Sequence, residues 1–315
     1  MNIIIHPPFF KFFPSLLRSL KGNEAQLIHV LSSSTNKKQE LELRKIIKEN
    51  YTGNNLCLHI DKKPYTIAKA RTFLAKQSIA DWIVCFDADI VLVKDYFKHL
   101  SRILSTIDSK TVAIAGGIDI NLFTPYGIWE GLADMRVYYR GVLGAYTTVQ
   151  GDLVGLRNQL HSLSGCETKY FQGFNHIIKR SYLEEINYYD VDFWSAEDRE
   201  LACRIRSKNQ SIKLFPELMV YHNYNFSLKD IIRRKRIHGY WYTRLRNKYP
   251  SEELVPQLSS KLLCIFFSQL LFGLKSFRGF YGGLYIRISI FSYLYGILES
   301  KLGSFKFRNG WKYGD

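Results

Sequence analysis

Apolar and polar positions alternate with two different periods along the first 120 residues. Short apolar runs, typical of buried strands, are separated by segments in which apolar residues recur with the period of a helix. The predicted strands are 2–6, 25–31, 55–60, 81–92 and 111–117, and the predicted helices between them are 10–20, 36–51, 66–78 and 93–107. Strands separated by helices predict βαβ units, and therefore an α/β fold with a mixed, mainly parallel sheet flanked by helices.

The second half of the chain has a less regular pattern. Residues 121–170 are weakly periodic and rich in Gly and Tyr, so no element is predicted there. Beyond them, the pattern predicts a strand and a helix within 171–186, an amphipathic helix over 196–210, a strand over 211–224 and a basic helix over 226–250.

Polar residues follow the predicted strands at the sheet edge where ligands of α/β proteins bind. The first strand ends at His6-Pro7, the second at Ser32, the third at Asp61 and the fourth in "FDADI" (86–90). Asp87 and Asp89 share one face if the backbone stays extended. Two carboxylates so close repel each other, and either a hard cation such as Mg²⁺ or Mn²⁺ neutralises them or they form a solvated strand end.

Composition limits the class of protein. The chain has 315 residues, of which 46% are hydrophobic and 15% aromatic, which describes a globular protein and excludes a mainly disordered one. Its five cysteines are scattered without a CxxC pair, which argues against a disulfide framework or a zinc site and favours a reducing compartment. The first residues lack the basic start of a secretory signal, so a cytoplasmic location is expected.

The positive charge is concentrated at the C-terminal end. From Arg233 onward there are 15 Lys and Arg against 4 Asp and Glu, so +11 of the net +16 lies in the last 83 residues. The same region contains the apolar runs 262–274 and 279–298, the second interrupted by Arg287. Apolar, aromatic helices flanked by basic residues favour attachment to an anionic membrane surface, with a buried helical hairpin as the alternative. The long uncharged runs fit nucleic acid poorly, so no nucleic-acid partner is expected.

Three further groups are candidates for chemistry. Glu197 and Asp198 begin a predicted helix, where acids cap the helix or act as a base. His222 lies at a strand end, where a packed or surface role is the simpler reading. The run 233–236, "RRKR", is either a solvated basic helix or a binding site for a diphosphate or lipid phosphate.

The order of four stretches resembles a known enzyme family. They are "TIAKARTFLAKQSIADWIVCFDADI" (66–90), "GFNHIIKRSYLEEI" (173–186), "AEDRELACRIR" (196–206) and "LMVYH" (218–222). Together they resemble a family 2 glycosyltransferase of the GT-A fold over roughly residues 2–245. The resemblance implies a catalytic domain over 1–245 and leaves 246–315 as a helical, membrane-associating region.

The resemblance also implies roles for individual residues. Asp87, Ala88 and Asp89 match the DxD motif that holds Mn²⁺ or Mg²⁺ on the diphosphate of a nucleotide sugar, and His222 matches a later metal ligand. Asp198, beside Glu197, matches the general base that deprotonates the acceptor hydroxyl. Residues matching other parts of the donor site are Pro7, Asp61, Lys69, Arg71, Gly173, Phe174, Asn175, Arg233, Arg234 and Arg236.

Two departures from the family pattern leave the nucleotide base open. "HPPF" (6–9) stands where "PxYN" is usual after the first strand, and "SSST" (32–35) replaces an acidic turn that grips the base or ribose. Asp61 is the available substitute. The expected donor is therefore a UDP- or GDP-sugar.

The expected function is transfer of a sugar, with inversion, to a glycan or lipid-linked acceptor at the cytoplasmic face of a membrane, by a peripheral or monotopic enzyme. One alternative is transfer of a sugar to polyprenyl phosphate, which needs the same donor site. Another is a non-catalytic, basic protein that binds membranes or RNA through a degenerate transferase domain.

Overall fold

The computed structural model describes residues 1–6, 9–21, 27–33, 35–123, 162–224, 226–250 and 280–303. They fall into two compact units. The first contains residues 1–121 and 162–223 of the described chain, and the second contains 122–123, 224–250 and 280–303.

Strands and helices alternate through the first unit as the periodicity predicts. The strands are β1 (Asn2–Ile5), β2 (Ile28–Ser32), β3 (Leu56–Ile60), β4 (Trp82–Asp87), β5 (Ile90–Leu92), β6 (Thr111–Phe123), β7 (Asn175–Lys179) and β8 (Ser211–Tyr224). The helices are α1 (Phe13–Ser19), α2 (Lys37–Asn50), α3 (Ile67–Gln77), α4 (Tyr96–Leu104), α5 (Arg180–Glu185) and α6 (Glu197–Ser207). The second unit contains α7 (Leu228–Lys248) and α8 (Phe280–Leu302).

One strand predicted from the sequence is two strands in the structure. The apolar run 81–92 was expected to be a single strand, but Ala88 and Asp89 form a turn between β4 and β5. The two halves then pair with different partners, because β4 lies beside β1 whereas β5 pairs with β8. Asp87 therefore ends β4 and Asp89 lies within the turn, so the two do not share the face of one extended strand.

The eight strands of the described residues form one sheet in the order β3-β2-β1-β4-β7-β6-β8-β5. The βαβ part is parallel, with Ile3 of β1 opposite Val30 of β2 and Phe86 of β4. The later strands add antiparallel pairs, in which Ile177 of β7 lies opposite Val84 of β4 and Ile114 of β6. The sheet is therefore mixed.

The topology collects the polar strand ends at one edge. β1 to β4 are parallel, so His6, Ser32, Asp61 and Asp87 all follow carboxyl ends that meet at this edge. β7 runs the other way and begins there, with Asn175 opposite Phe86. The segment before Asn175 is thereby brought beside Asp87.

Local signals set where several helices begin. The side chain of Asn36 accepts a hydrogen bond from the backbone N–H of Gln39, and the side-chain oxygen of Gln39 accepts one from the backbone N–H of Asn36, forming a capping box before α2. Thr66 caps α3 by accepting from the backbone N–H of Lys69 at 3.1 Å. Since Thr66 fixes the first turn of α3, it also sets which face carries Arg71.

The second unit contains a close crossing of α7 and α8. A Cβ at Gly296 of α8 would lie 1.9 Å from the backbone oxygen of Arg236, and one at Gly239 of α7 would lie 2.0 Å from that of Tyr293. Glycine at both positions therefore allows the two backbones to approach. The Arg236 guanidinium also binds both oxygens of the Glu299 carboxylate, with Nε at 2.7 Å from Oε2.

Among the residues that the structure describes, no helix combines the length and the apolarity that a bilayer crossing requires.

Candidate active site

Arg71 of α3 is the cation at the centre of the candidate site. Its side chain is 3% exposed, and it donates from Nη1 to Glu197 Oε1 at 2.6 Å. Nη2 donates to the backbone oxygen of Gly173 at 2.7 Å and to Asp87 Oδ1 at 3.3 Å. Arg71 thus joins the end of β4, the segment before β7 and the start of α6.

Burial of the guanidinium lowers the pKa of Arg71, but the adjacent Glu197 and Asp87 carboxylates raise it by more. Arg71 therefore remains charged. The guanidinium carbon of Arg71 also lies 5.9 Å from the centroid of the Tyr189 ring. Arg71 therefore links three segments of the site, and its predicted contact with the nucleotide, like that of the exposed Lys69, stays a prediction.

A side chain at Gly173 would displace the Arg71 guanidinium from its present position. A Cβ there would lie 2.9 Å from Arg71 Nη2 and 3.0 Å from Nη1. The backbone N–H of Gly173 donates to Asp198 Oδ2 at 2.9 Å. Gly173 thereby links Arg71 through its carbonyl and Asp198 through its N–H, and the loop that holds it lies between the two acidic clusters.

Asp87 and Asp89 flank the turn after β4, and their surroundings differ. The Asp87 side chain is 36% exposed and pairs with Arg71, whereas the Asp89 side chain is 10% exposed. Desolvation raises the pKa of Asp87, Arg71 opposes that rise, and the nearby Asp89 carboxylate adds to it. Proximity of two acids is thus unfavourable here unless positive charge is supplied.

His222 brings an imidazole to the same turn. Its Nε2 lies 3.6 Å from Asp89 Oδ1, and its ring lies against Phe174 with centroids 4.4 Å apart. The register of β8 on β5 produces this contact, because His222 lies directly opposite Ile90. The structure therefore brings Asp89, His222 and Phe174 together at this turn.

The residues at this turn fit a divalent cation that takes part of its coordination from a ligand. No cluster of three or more His, Cys, Asp or Glu suited to a metal occurs among the residues described. Asp87, Asp89 and His222 nevertheless supply carboxylate oxygens and an imidazole nitrogen, which Mn²⁺ accepts. Mg²⁺ at phosphate sites is commonly held by one or two carboxylates together with phosphate oxygens, so two protein acids suffice.

Glu197 and Asp198 begin α6 and point to different surroundings. Ala196 precedes them in the left-handed region, with φ of 62°, and supplies no side-chain cap. Asp198 is half-buried and accepts hydrogen bonds from the backbone N–H groups of Gly173 and Arg199 at 2.9 and 2.8 Å. Each carboxylate oxygen keeps a second lone pair, so Asp198 can still accept a proton from a ligand.

Glu197 is 4% exposed and faces inward to Arg71. Burial raises the pKa of Glu197 to about 7, with Arg71 opposing the shift and Asp198 adding to it. Its geometry fits a partner that fixes Arg71, whereas Asp198 is the acid of the pair that reaches the loop at Gly173.

Asn175 lies inside the sheet. It is fully buried, and its amide nitrogen donates to the backbone oxygens of Gly117 and Leu218, both at 2.8 Å. Its oxygen accepts from the Tyr96 hydroxyl at 2.7 Å. Asn175 therefore ties β7 to β6, β8 and α4, directly beneath the loop that carries Gly173 and Phe174.

The sequence did not reveal a buried hydrogen-bond network beneath the same loop. His176 Nδ1 contacts the carbonyls of Gln172 and Gly173 at 3.2 and 3.0 Å, and its Nε2 lies 2.7 Å from the Tyr189 hydroxyl. Burial holds the pKa of His176 far below its usual range, so the ring is neutral. A carbonyl only accepts, so Nδ1 carries the proton and Tyr189 donates to Nε2. Tyr189 also lies 3.5 Å from the sulfur of Cys85.

At the ends of β2 and β3, hydroxyl groups and Asp61 replace the acidic turn that the family pattern would place there. Ser32 and Thr35 are buried and share a 2.7 Å hydrogen bond. Asp61 accepts from the backbone N–H of Lys63 at 2.8 Å and from the Tyr65 hydroxyl at 2.9 Å, and the first of these lowers its pKa most. Lys69 is exposed, with its ammonium 4.7 Å from the Tyr65 ring centroid.

Four predicted residues lie apart from this description. Pro7 is outside the described residues. Arg233, Arg234 and Arg236 belong to α7 of the second unit, where Arg236 pairs with Glu299. Their predicted contact with a diphosphate stays a prediction.

No protein-family model and no curated protein sequence matches the chain. Solved structures are similar to it in fold. The mannosyltransferase PcManGT from Pyrobaculum calidifontis, in complex with GDP-Man and Mn²⁺, matches with a TM-score of 0.59 and 11% identity over 96% of this chain and 87% of its own. GalNAc-T7, solved with UDP, GalNAc and Mn²⁺, matches with a TM-score of 0.51 and 13% identity over 85% of this chain and 53% of its own. These likenesses establish the fold, and the expected GT-A type α/β fold is confirmed.

Proposed function

We propose that the protein is a metal-dependent, inverting glycosyltransferase of the family 2, GT-A type. The observation that carries this proposal is the linkage at Gly173, whose carbonyl binds Arg71 beside Asp87 and whose N–H binds Asp198. Two acidic clusters that are distant in sequence thereby flank one loop. In this proposal, phosphate charge would lie beside Asp87 and Asp89, and Asp198 would act as the base.

The chemistry assigns different tasks to the two clusters. Asp87, Asp89 and His222 would hold Mn²⁺ or Mg²⁺, which when bound neutralises charge on a departing nucleoside diphosphate. Asp198 would take the proton of the acceptor hydroxyl as that oxygen attacks the anomeric carbon. The new C–O bond forms as the bond to the diphosphate breaks, so a single displacement inverts the anomeric configuration.

Other residues would shape the donor site without taking part in bond making. Gly173 and Phe174 would line the sugar, while Asn175 holds β7 beneath them. Arg71 and Glu197 would fix the positions of Asp87 and the loop. Asp61 and Lys69 would lie near the nucleotide, with Pro7, Arg233 and Arg236 as further donor contacts predicted from the sequence.

The proposed donor is a UDP- or GDP-sugar and the proposed acceptor is a glycan or a lipid-linked sugar of the cell envelope, reached at the cytoplasmic face of the membrane. Sugar transfer to polyprenyl phosphate is the second candidate, because it needs the same donor site. Comparing product formation with polyprenyl phosphate and with lipid-linked sugars distinguishes the two.

The first experiment is calorimetric titration of UDP and GDP, with Mn²⁺ and with EDTA. We expect one nucleotide to bind only with Mn²⁺, and Asp89→Ala to abolish that binding. Asp81→Ala is the matched control, because Asp81 is an exposed acid just before the opposite end of β4. Absence of binding by either nucleotide would reject the donor site and favour the non-catalytic alternative.

The second experiment tests the base. Once a donor is identified, Asp198→Asn should lower kcat by about 10²–10⁴-fold while leaving nucleotide affinity close to that of the wild type. The product anomer is determined by nuclear magnetic resonance. Retention of configuration would reject single displacement, and an unaffected kcat would reject Asp198 as the base.

A further inference from the structure

The outward face of α8 carries four large apolar side chains. Phe291, Tyr295, Leu298 and Leu302 are 58%, 53%, 52% and 68% exposed. Their spacing of four, three and four residues places them along one side of the helix. This set, called the apolar stripe below, has an extent of roughly 17 Å at about 1.5 Å per residue.

The inward face of the same helix includes small and polar residues and also Tyr293, whose ring centroid lies 6.5 Å from that of Tyr242 on α7. Ser289, Gly296 and Glu299 are buried, and Gly296 and Glu299 contact α7. Large apolar side chains of α8 are therefore not confined to the side that packs on α7. Exposed apolar patches of this kind mark surfaces that bind another molecule.

Charge identifies the chemistry of the occupant. The described residues of the second unit, 224–250 and 280–303, contain ten Lys and Arg against two Asp and Glu, a net charge of +8. Lys301 is exposed beside Leu302, and the Arg236 guanidinium lies 5.2 Å from the Tyr295 ring centroid. Two copies joined through this face would bring like charges together, whereas an anionic lipid surface attracts them.

We propose that the apolar stripe inserts into the interface of an anionic phospholipid membrane, with α8 lying in its plane. Phe291, Leu298 and Leu302 enter the acyl boundary, Tyr295 occupies the polar–apolar border, and the surrounding cations contact lipid phosphates. The stripe is shorter than the roughly 30 Å hydrocarbon core, which fits in-plane insertion. This inference deepens the proposed function, since lipid-linked acceptors are presented at such a surface.

Vesicle flotation of the full chain tests the inference. Vesicles of phosphatidylcholine are compared with vesicles that also contain phosphatidylglycerol. We expect the wild type to bind the anionic vesicles, and Phe291→Ser/Leu298→Ser to bind at least about tenfold more weakly. Ile79→Ser is the matched control, because Ile79 is 82% exposed but lies in the first unit; it should bind like the wild type.

Two further measurements decide between the possible occupants. Thermal unfolding of the variant should match the wild type, because the substituted side chains are exposed. Tyr295→Ser/Leu302→Ser provides a second pair if the first does not fold. Wild type that fails to bind anionic vesicles, or stripe variants that bind equally well, would overturn the inference. The inference would also be overturned if light scattering showed that the wild type is a dimer and the variant a monomer, while both bound vesicles equally well.

The outcome is separable from that of the proposed function. Vesicle binding is measured without nucleotide, and nucleotide binding is measured without vesicles. A stripe variant that loses vesicles but keeps Mn²⁺-dependent nucleotide binding supports the inference whatever the acceptor proves to be.

Discussion

Arg71 shows how one residue can hold several parts of a site. Its buried guanidinium binds Glu197, Asp87 and the Gly173 carbonyl. Arg71→Met leaves the Glu197 carboxylate buried without its cation, and we expect a loss of about 3–5 kcal/mol in the free energy of unfolding. Urea denaturation measures this loss, and calorimetry should show weakened nucleotide binding because Asp87 and the Gly173 loop lose their common anchor.

Two variants separate charge pairing from simple loss of packing. Arg71→Met/Glu197→Gln should recover part of the lost stability, since the unpaired buried charge is removed as well. Lys69→Met lies on the same helix but is exposed, and should change stability by no more than about 0.5 kcal/mol. A double variant less stable than Arg71→Met alone would contradict the assignment of Glu197 as the partner.

His29 gives the fold a dependence on pH. It is 6% exposed, and its Nδ1 lies 3.2 Å from His59 Nε2. Burial, together with the nearby Met1 amino group and His59 ring, lowers the pKa of His29 to about 4. Between about pH 6.5 and pH 4 the unfolded state therefore binds more protons than the folded state. The stability that depends on neutral His29 is complete above this window and is lost as the pH falls through it.

Substituting His29 should reduce that loss. Between about pH 7.5 and pH 4.5, we expect His29→Gln to lose about 1–2 kcal/mol less stability than the wild type, since each pKa unit corresponds to about 1.4 kcal/mol and other groups titrate nearby. Urea unfolding at a series of pH values provides the comparison. His99→Gln, on α4 outside this pair, is the control, and a His29→Gln curve parallel to that of the wild type would contradict the prediction.

Which residues meet in the site could be predicted only in part. The acids at 87, 89, 197 and 198 stand out locally because they follow a strand or begin a helix. Arg71 and Glu197 are 126 residues apart, and no periodicity relates them. His176 and Tyr189 gave no signal, because a histidine in a buried strand and a tyrosine in a loop look ordinary until the sheet brings them together.

At the level of elements, the start of α6 determines where both acids point. Ala196 has a φ of 62° and lies directly before Glu197. The left-handed conformation costs a residue with a Cβ roughly 1–2 kcal/mol, whereas glycine adopts it freely. Glycine also gives the unfolded chain more conformational entropy, which offsets part of this relief of strain. We therefore expect Ala196→Gly to raise the free energy of unfolding by up to about 1 kcal/mol.

The same substitution inside the helix supplies the control. Ala202 lies in the interior of α6, so Ala202→Gly should lower stability by about 1 kcal/mol. Urea denaturation of both variants tests for this opposite sign. A loss of stability in Ala196→Gly equal to that in Ala202→Gly would show that the conformation at residue 196 carries no strain.

The order of elements was more predictable than their pairing. Periodicity located the strands and helices up to residue 117, because each depends on the local alternation of burial. It missed the turn at Ala88–Asp89, since both halves of the run 81–92 are apolar. It also did not specify that β7 is antiparallel to β4, because strand direction depends on connections through residues 121–170, where the pattern is weak.

At the level of the whole molecule, the fold is shared with a protein whose sequence is very different. The chain shares 11% identity with PcManGT yet has a TM-score of 0.59 with it. Alternating burial and strand order are compatible with many side chains, whereas the site requires particular ones. The likeness therefore establishes the fold alone, and the proposed donor and acceptor rest on particular residues such as Asp61. The domain boundary expected near residue 245 stays a prediction.

Two ligands should protect two different parts of the chain from hydrogen exchange. A nucleoside diphosphate with Mn²⁺, at about a hundredfold excess over its Kd, should slow hydrogen exchange in the Ala88–Asp89 turn and the Gly173 loop. The expected slowing is about a hundredfold for those amides that exchange only when the ligand is not bound. Anionic vesicles without nucleotide should instead protect α8. Mass spectrometry of peptides from the two units measures both effects.

The variants should separate these effects in both directions. Asp89→Ala should lose the nucleotide-dependent protection and keep that caused by vesicles, because it alters the turn in the first unit. Phe291→Ser/Leu298→Ser should do the reverse. If either variant abolished both patterns, the two units could not be assigned separate ligands. If nucleotide protected the turn equally well in EDTA, Asp87 and Asp89 would bind the donor without a cation, and the charge repulsion between them would need another explanation.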